Sequence, residues 1–269
     1  MKERFQRTCY LIDVEGVLVR DKRYQPIEGS VAWFNGLAGR GIRACLVSNN
    51  TTHRPEEQLS VLAAAGFDVR PEQLVSALNL GLDLLARWGK RRVIWLGHPR
   101  LASLWQEHGF TLVAGGPCDA VVLGVNPELS VADLERALPA LLDQGAELVA
   151  LHRNLFWLDE RGERRLGPGA WSAALEGLSR TGQAICMGKP SERIYRQALE
   201  RIGATAAEAL FIADDPVADL VTARRMGMVT AFVLSGKYAD HGILARLDQE
   251  DWPDVIAERP SALDEEESG

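Results

Sequence analysis

Short runs of apolar residues alternate with amphipathic segments along the whole chain. Because these runs are continuously apolar, they predict strands that are covered on both faces of a sheet. The predicted strands are Thr8–Ile12, Ala44–Val47, Arg92–Leu96, Ala120–Leu123, Leu148–Leu151, Ala184–Met187, Ala209–Ala213 and Val229–Leu234.

The segments between these runs carry helix signals. Pro55 suits a first helical turn, and Ser130 with Asp133 three residues later is typical of a capping box. The clearest predicted helices run from Pro55 to Gly66, from Ser130 to about Gly145 and from Ser191 to Gly203. Strands that alternate with helices predict an α/β fold with a mostly parallel sheet.

Composition and charge narrow the class of protein. The 269 residues allow one large or two medium domains, and 46% hydrophobic with 25% charged residues is ordinary for a soluble globular protein. The net charge of −7 argues against a nucleic-acid partner but does not exclude a small anionic ligand.

The chain carries no signal for secretion or membrane insertion. The charged segment 1–7 precedes an apolar run that Asp13 and Glu15 interrupt, so we expect neither a signal peptide nor a membrane span. The cysteines are scattered without a C-x-x-C pair, which favours reduced thiols in a cytoplasmic protein and argues against zinc. The acidic tail from Asp264 onward is expected to fray.

Two carboxylates follow the first predicted strand. Asp13 and Glu15 are two residues apart, so in an extended segment they point the same way, and Gly16 then allows a sharp turn. Such a pair suits a hard cation, or a nucleophile with its acid/base partner. The alternative is a solvated acidic turn.

Two further predicted strands end in groups that bind anions. Ser48 and Asn49 open a polar loop that enters a helix, although the same loop would serve as a helix cap. Lys189 stands between Gly188 and Pro190, where it would hold a phosphate oxygen or lie on the surface.

A fourth predicted strand ends in an acidic cluster. Asp214, Asp215 and Asp219 follow Ala209–Ala213 and suit Mg²⁺, or else form an acidic turn and helix cap. Ligands of open α/β sheets collect at the carboxyl ends of strands, and the four strand ends together supply what phosphoryl transfer needs.

These segments resemble the motifs of the haloacid dehalogenase (HAD) superfamily. The matching stretches are Asp13-Val-Glu-Gly-Val-Leu, Val47-Ser-Asn-Asn, Gly188-Lys-Pro-Ser and Ile212-Ala-Asp-Asp-Pro-Val-Ala-Asp, and Val233-Leu-Ser-Gly-Lys resembles a late core strand and loop. The resemblance is to class IIA, which includes para-nitrophenylphosphatase-like, phosphoglycolate, pyridoxal phosphate and phospholysine/phosphohistidine/pyrophosphate phosphatases.

The resemblance implies a fold and a domain arrangement. It implies a Rossmann-like, doubly wound core made of residues 1–77 and 184–269, with an α/β cap inserted at residues 78–183. The cap would close over the site and select the leaving group of a small phosphorylated metabolite. Relatives with this cap often pair through it, so the resemblance also suggests a homodimer.

The resemblance also implies roles for individual residues. Asp13 would attack phosphorus and form an aspartyl-phosphate, Ser48 and Asn49 would bind the phosphoryl group, and Lys189 would stabilise both. Mg²⁺ would be held by Asp13, by Asp214 and by the backbone carbonyl of Glu15.

Further implied roles concern the surroundings of the site. Asp219 and Asp215 would hold the metal's waters or the lysine. The loop with Arg153 and Asn154 would set substrate specificity, with Arg153 meeting a substrate carboxylate or second phosphate; the alternative is a solvated loop arginine.

One departure from the family pattern affects the expected chemistry. Glu15 stands where the family usually has an aspartate that protonates the leaving oxygen and later activates water, and a misplacement of about 1 Å can cost about a hundredfold in rate. The sequence therefore predicts a Mg²⁺-dependent phosphatase. The alternatives are a phosphate-binding regulatory protein with weakened hydrolysis, or an enzyme that transfers the phosphoryl group to another acceptor.

Overall fold

The computed structural model describes residues 7–20, 23–159 and 161–265 of the chain. The segment 1–6 and the last residues of the acidic tail, 266–269, to which the sequence-based predictions extended, lie outside the described residues.

The described residues form strands and helices in alternation. The strands are β1 (Cys9–Ile12), β2 (Val19–Arg20), β3 (Gln25–Pro26), β4 (Arg43–Ser48), β5 (Leu74–Ser76), β6 (Arg92–Leu96), β7 (Thr111–Leu112), β8 (Ala120–Leu123), β9 (Glu147–Ala150), β10 (Phe156–Leu158), β11 (Arg164–Leu166), β12 (Ile185–Cys186), β13 (Ala209–Ala213), β14 (Val229–Val233) and β15 (Val255–Ala257). The α-helices are α1 (Ser30–Gly36), α2 (Pro55–Ala64), α3 (Ala77–Arg87), α4 (Ala102–Glu107), α5 (Val131–Leu142), α6 (Pro168–Glu176), α7 (Glu192–Ile202), α8 (Val221–Arg225) and α9 (Ala262–Glu265).

The chain divides into two compact units. The first contains the described residues of Met1–Ser48, Glu56–Val75 and Glu192–Gly269, and the second contains Asn49–Pro55 and Ser76–Ser191. Each unit has its own sheet, so the predicted α/β fold with mostly parallel sheets is confirmed.

The first unit is built on a six-stranded sheet in the order β15-β14-β13-β1-β4-β5. The strand β1 lies in its middle and pairs in parallel with β13 and β4, which explains why all four of its residues are buried. The register pairs Ile12 with both Ile212 and Leu46, so the carboxyl ends of these three strands are level.

The core of this unit explains the continuous apolar runs. Ile12, Leu46 and Ile212 belong to one buried cluster with residues of the flanking helices, including Trp33 and Phe34 of α1. Burial on both faces of the sheet favours apolar residues at consecutive positions, which is the pattern that the sequence displays.

The second unit is built on a five-stranded sheet in the order β12-β9-β8-β6-β7, in which every pair is parallel. Its core is a separate cluster that combines β6, β8 and β9 with α5. The capping box of α5 is present as predicted, because Ser130 Oγ accepts from Asp133 N while the Asp133 carboxylate accepts from Ser130 N.

One predicted strand differs in its partner. The run Ala184–Met187 contains β12, and β12 pairs with β9 of the second unit, whereas the sequence-based boundary placed it in the core that begins at residue 184. The four motif-bearing strand ends therefore do not belong to one sheet. The apolar pattern of a strand shows that it is buried but not which sheet it joins.

Short elements complete the fold. The pairs β2–β3 and β10–β11 are antiparallel hairpins that were not predicted, and β3 and β11 are exposed at every residue. No helix in the described part of the chain is both long and apolar enough to cross a membrane.

Candidate active site

The register of the central strands determines where the first acidic residues lie. Asp13 follows β1 directly, and its backbone N–H donates to the Ile212 carbonyl at 2.9 Å, which continues the pairing with β13 by one step. Asp214 follows β13 directly. Two carboxylates that are far apart in the sequence therefore leave adjacent parallel strands at the same edge of the sheet.

Three carboxylates form a buried cluster at this edge. One oxygen from each of Asp13, Asp214 and Asp219 lies within 4.8 Å of the other two. The exposed fractions of these residues are only 8%, 8% and 3%. Negative charges at this separation and burial repel one another strongly, so the arrangement favours a cation among them.

The donor set fits a hard divalent metal. All three groups are carboxylates, which suit Mg²⁺ or Ca²⁺ rather than softer metals, and no cysteine or histidine joins them in the cluster found among the described residues. Asp13, Asp214 and Asp219 are thus the residues that would hold the metal.

Local hydrogen bonds fix two of the carboxylates. Asp13 Oδ1 accepts from the Val14 N–H at 2.7 Å. Asp214 Oδ2 accepts from the Lys237 N–H at 2.7 Å. Each bond sets the rotation of one carboxylate, because a charged acceptor holds a short hydrogen bond to a backbone donor strongly.

Asp219 is fixed through its backbone. It lies in the wide helical turn Pro216–Leu220 that leads into α8, and its carbonyl accepts from the buried Tyr195 hydroxyl at 2.7 Å. Its side chain is a member of the carboxylate cluster and is therefore a candidate metal ligand, whereas the sequence predicted a supporting role for it.

Asp215 has a different role from its neighbours. Its Oδ1 accepts from the N–H groups of Val217 and Ala218 and so caps the helical turn. Its Oδ2 accepts from Lys237 Nζ at 2.5 Å. The cap is one of the two alternatives that the sequence left open for this acidic cluster.

Lys237 is a site residue to which sequence reasoning gave no role. Burial by itself would lower the pKa of its ammonium, but the charge and hydrogen bond of Asp215 outweigh burial, so the pKa is raised and Lys237 is protonated. In the sequence, the feature that could have indicated this residue is its position at the end of Val233-Leu-Ser-Gly-Lys, the stretch that resembles the family's late core loop. Lys237 therefore supplies a positive charge beside Asp215 and the cluster of three carboxylates.

Two glycines allow the loops to close around Asp214. A Cβ on Gly16 would lie 2.0 Å from Asp214 Oδ2, and a Cβ on Gly236 would lie 2.1 Å from the same atom. Gly16 also has a φ of 83°, which L-residues rarely adopt. Ser235 Oγ donates to the Gly16 carbonyl at 2.7 Å and ties the two loops together.

Glu15 lies between Asp13 and this glycine turn. It is half-buried and forms a single β-bridge with Val19, while Gly16 N donates to the Val19 carbonyl at 2.8 Å. The bridge fixes the backbone of Glu15 immediately beyond the strand end.

Ser48 ends β4 in the same unit. It is buried, and its Oγ accepts from Gln58 Nε2 at 2.9 Å. Gln58 comes from α2 and is also buried. The hydroxyl of Ser48 is therefore held in position by the side-chain amide of Gln58.

The remaining predicted residues belong to the second unit. Asn49 is hydrogen-bonded to the backbone of Lys189, and its Nδ2 lies 3.4 Å from Asn154 Oδ1. Lys189 is only 2% exposed, so it is not the surface lysine that the sequence left as an alternative.

Arg153 pairs with an acidic side chain of its own unit. Its guanidinium lies 2.8 Å from Glu176 Oε1, an oxygen that also accepts from Ala184 N. Arg153 is therefore tied to α6 and to the segment before β12. A substrate that engages this arginine has to compete with Glu176.

Comparisons with known proteins show the family to which the chain is similar. The family model for haloacid dehalogenase-like hydrolases matches residues 10–111, and a HAD-hydrolase-like model matches residues 186–260. Human chronophin is 31% identical over 242 residues, which cover 84% of this chain and 80% of chronophin.

Solved structures have the same fold. The p-nitrophenyl phosphatase from Archaeoglobus fulgidus matches with a TM-score of 0.84 at 24% identity and covers 97% of this chain and 99% of its own. The glycerol phosphate phosphatase from Mycobacterium tuberculosis in complex with magnesium matches with a TM-score of 0.76 at 27% identity, covering 93% of this chain and 74% of its own.

The chain therefore belongs to the haloacid dehalogenase-like hydrolases, as a class IIA phosphatase that hydrolyses phosphoric monoesters. The resemblance inferred from the motifs is thereby confirmed.

Proposed function

We propose that this protein is a Mg²⁺-dependent phosphatase that hydrolyses a small phosphorylated metabolite through an aspartyl-phosphate on Asp13. The observation that carries the proposal is the buried cluster of Asp13, Asp214 and Asp219, whose ligand oxygens lie within 4.8 Å of one another. A bound Mg²⁺ would neutralise the phosphoryl oxygens and the cluster. The relative crystallised with magnesium supports the choice of metal.

Asp13 and Glu15 divide the covalent chemistry in this proposal. A carboxylate oxygen of Asp13 attacks phosphorus, and the bond from phosphorus to the leaving oxygen breaks as Glu15 donates a proton to that oxygen. Glu15 then takes a proton from water, and the water oxygen attacks phosphorus. Phosphate leaves and the Asp13 carboxylate is regenerated.

Ser48 and Lys189 bind the transferring group in this proposal. The Ser48 hydroxyl, oriented by Gln58, donates to a phosphoryl oxygen, and Lys189 supplies positive charge. The sequence assigned a phosphate contact to Asn49 as well. Asp215 holds Lys237 and the helical turn, and Asp219 completes the carboxylate cluster.

The second unit is proposed to act as the cap. The bounds proposed from the sequence are residues 78–183 for the inserted cap and residues 1–77 with 184–269 for the core, although β12 pairs with β9 of the second unit. Arg153 and Asn154 lie in the loop that we propose selects the substrate. The names of the similar proteins point to p-nitrophenyl phosphate and glycerol phosphate as substrates of those proteins, so we propose a small phosphate monoester here. A homodimer through the cap and the absence of a nucleic-acid partner remain predictions.

Hydrolysis of p-nitrophenyl phosphate tests the proposal directly. With Mg²⁺, wild type is expected to turn over and Asp13→Asn to lose all measurable activity, because an amide does not attack phosphorus. Asp83→Asn, an exposed aspartate of α3, is the matched control and should keep wild-type activity. Equal rates for wild type and Asp13→Asn would refute the proposal, provided both melt at similar temperatures.

Glu15 favours one second candidate, transfer of the phosphoryl group to an acceptor other than water. A glutamate that activates water poorly prolongs the aspartyl-phosphate and leaves time for an alcohol to attack it. Added glycerol or ethanol would then raise the release of p-nitrophenol while the yield of inorganic phosphate per p-nitrophenol falls below one.

A further inference from the structure

The side chain of Asn49 makes two hydrogen bonds to the backbone of Lys189. Asn49 Oδ1 accepts from the Lys189 N–H at 2.8 Å, and Asn49 Nδ2 donates to the Lys189 carbonyl at 3.1 Å. The second hydrogen of Nδ2 faces Asn154 Oδ1 at 3.4 Å. One amide therefore occupies both polar groups of the Lys189 backbone, as a neighbouring strand would.

Gly188, the residue before Lys189, has no side chain that would obstruct this contact. A Cβ on Gly188 would lie 2.4 Å from Asn49 Oδ1, 2.6 Å from Ala77 Cβ and 2.7 Å from the Leu151 carbonyl oxygen. Only glycine allows the segment to approach Asn49 and β9 this closely. The Gly188 N–H also donates to the Leu151 carbonyl at 2.7 Å, so the segment is held from two sides.

The position of the Lys189 backbone matters because of the length of its side chain. A lysine ammonium is a flexible point charge on a four-carbon stem, and its reach is set by where its Cα lies. Lys189 is 2% exposed, so burial leaves it little freedom to correct a displaced backbone.

We infer that Asn49 is a positioning residue for Lys189: its amide fixes the lysine backbone and thereby the ammonium that binds phosphate. This differs from the direct phosphate contact expected from the sequence, because both ends of the Asn49 amide are already engaged. The inference rests on the proposed function, in which Lys189 neutralises the phosphoryl group.

A double-mutant cycle distinguishes the two roles. Asn49→Ala, Lys189→Met and the double variant are compared with wild type in kcat/KM for p-nitrophenyl phosphate and in the affinity for inorganic phosphate by titration calorimetry with Mg²⁺. Asn49→Ala should lower kcat/KM by about tenfold to a hundredfold. If Asn49 acts through Lys189, the double variant should equal Lys189→Met in both measurements.

Asn35 provides a matched control. Its Nδ2 donates to the Gly66 carbonyl and its Oδ1 accepts from Asp68 N, both at 2.9 Å, so Asn35→Ala removes the same kind of paired backbone contact elsewhere. Asn35→Ala should leave kcat/KM and phosphate affinity unchanged even where it lowers the melting temperature. Should Asn49→Ala fail to fold, Asn49→Asp, which keeps Oδ1 but replaces the donor, goes through the same cycle.

The outcomes separate the inference from the proposed function. Losses that multiply in the double variant, or an Asn49 variant with wild-type kinetics, would overturn the positioning role. A wild type without phosphatase activity would refute the proposed function instead, and the calorimetric cycle would still decide the role of Asn49.

Discussion

Lys237 Nζ lies 2.5 Å from Asp215 Oδ2, and the two side chains form an ion pair beside the buried carboxylate cluster. The backbone N–H of the same lysine donates to Asp214 Oδ2. One residue therefore contacts two consecutive aspartates, one through its charge and one through its main chain. This arrangement links the loop after β14 to the loop after β13.

Replacing Lys237 by methionine should destabilise the metal-free protein. The change leaves Asp215 buried without its cation beside three other carboxylates, at a cost of about 2 kcal/mol. Saturating Mg²⁺ should raise the melting temperature more in Lys237→Met than in wild type, because the metal replaces part of the lost positive charge. Lys237→Arg keeps the charge and is the control. An equal rise in melting temperature for Lys237→Met and wild type would contradict the prediction.

Replacing Gly236 by alanine should damage the metal site. The new Cβ would lie 2.1 Å from Asp214 Oδ2 and 2.5 Å from Gly16 Cα, so Asp214 has to move. The expected result is a loss of about tenfold to a hundredfold in Mg²⁺ affinity, measured by titration calorimetry. Gly39→Ala is the matched control, because its Cβ would meet no atom within 4 Å. Similar affinities for the two variants would show that Asp214 tolerates the displacement.

Glu15→Asp tests the acid/base role that we propose for Glu15. The shorter side chain restores the group that the family usually has, so turnover of p-nitrophenyl phosphate should rise, by up to about a hundredfold if the present carboxylate is misplaced by about 1 Å. Stopped-flow measurement should show a burst of p-nitrophenol in wild type that shrinks in the variant. A lower rate for Glu15→Asp would mean that the site is adapted to glutamate.

Asp254 should make stability depend on pH in the acidic range. Burial alone would raise the pKa of its carboxyl, but hydrogen bonds from Arg224 and Thr230 outweigh burial and hold the pKa below its ordinary value of 3.8. A lowered folded-state pKa contributes stability above the unfolded value, and this contribution is lost as the pH falls through the folded value.

The corresponding measurement is urea unfolding of wild type and Asp254→Asn at several pH values. At pH near 7 the variant should be less stable by about 1 to 3 kcal/mol, since it loses charge-assisted bonds to Arg224 and Thr230. The difference in the free energy of unfolding between wild type and Asp254→Asn should narrow as the pH falls below about 4. A difference in the free energy of unfolding that does not change with pH would contradict the stabilising role of the Asp254 charge.

The local pattern of the sequence predicted most elements and the identity of the chemical groups. The runs of β1, β4, β8 and β13 were recognisable because strands buried on both faces must be continuously apolar. The short hairpin β10–β11 was not predicted, and its second strand, β11, is exposed at all three residues.

The local sequence pattern did not predict contacts between distant parts of the chain. Lys237 and Asp215 are 22 residues apart, and nothing in either segment indicates that they pair. Asn49 and Lys189 are 140 residues apart, and nothing in either segment indicates that the Asn49 side chain binds the Lys189 backbone. The partner of β12 was also decided by packing, because an apolar run fits either sheet.

The sequence by itself determined the α/β fold and the acidic and basic groups that follow the strands, since strand burial and strand-end chemistry are local properties. Only the tertiary structure decided that Asp219 joins Asp13 and Asp214, whereas Asp215 turns to Lys237 and caps a helix. The physical reason is that Asp214 follows a strand end, Asp215 caps the helical turn and Asp219 lies within that turn. These backbone positions decide where each carboxylate lies, and residue type does not reveal them.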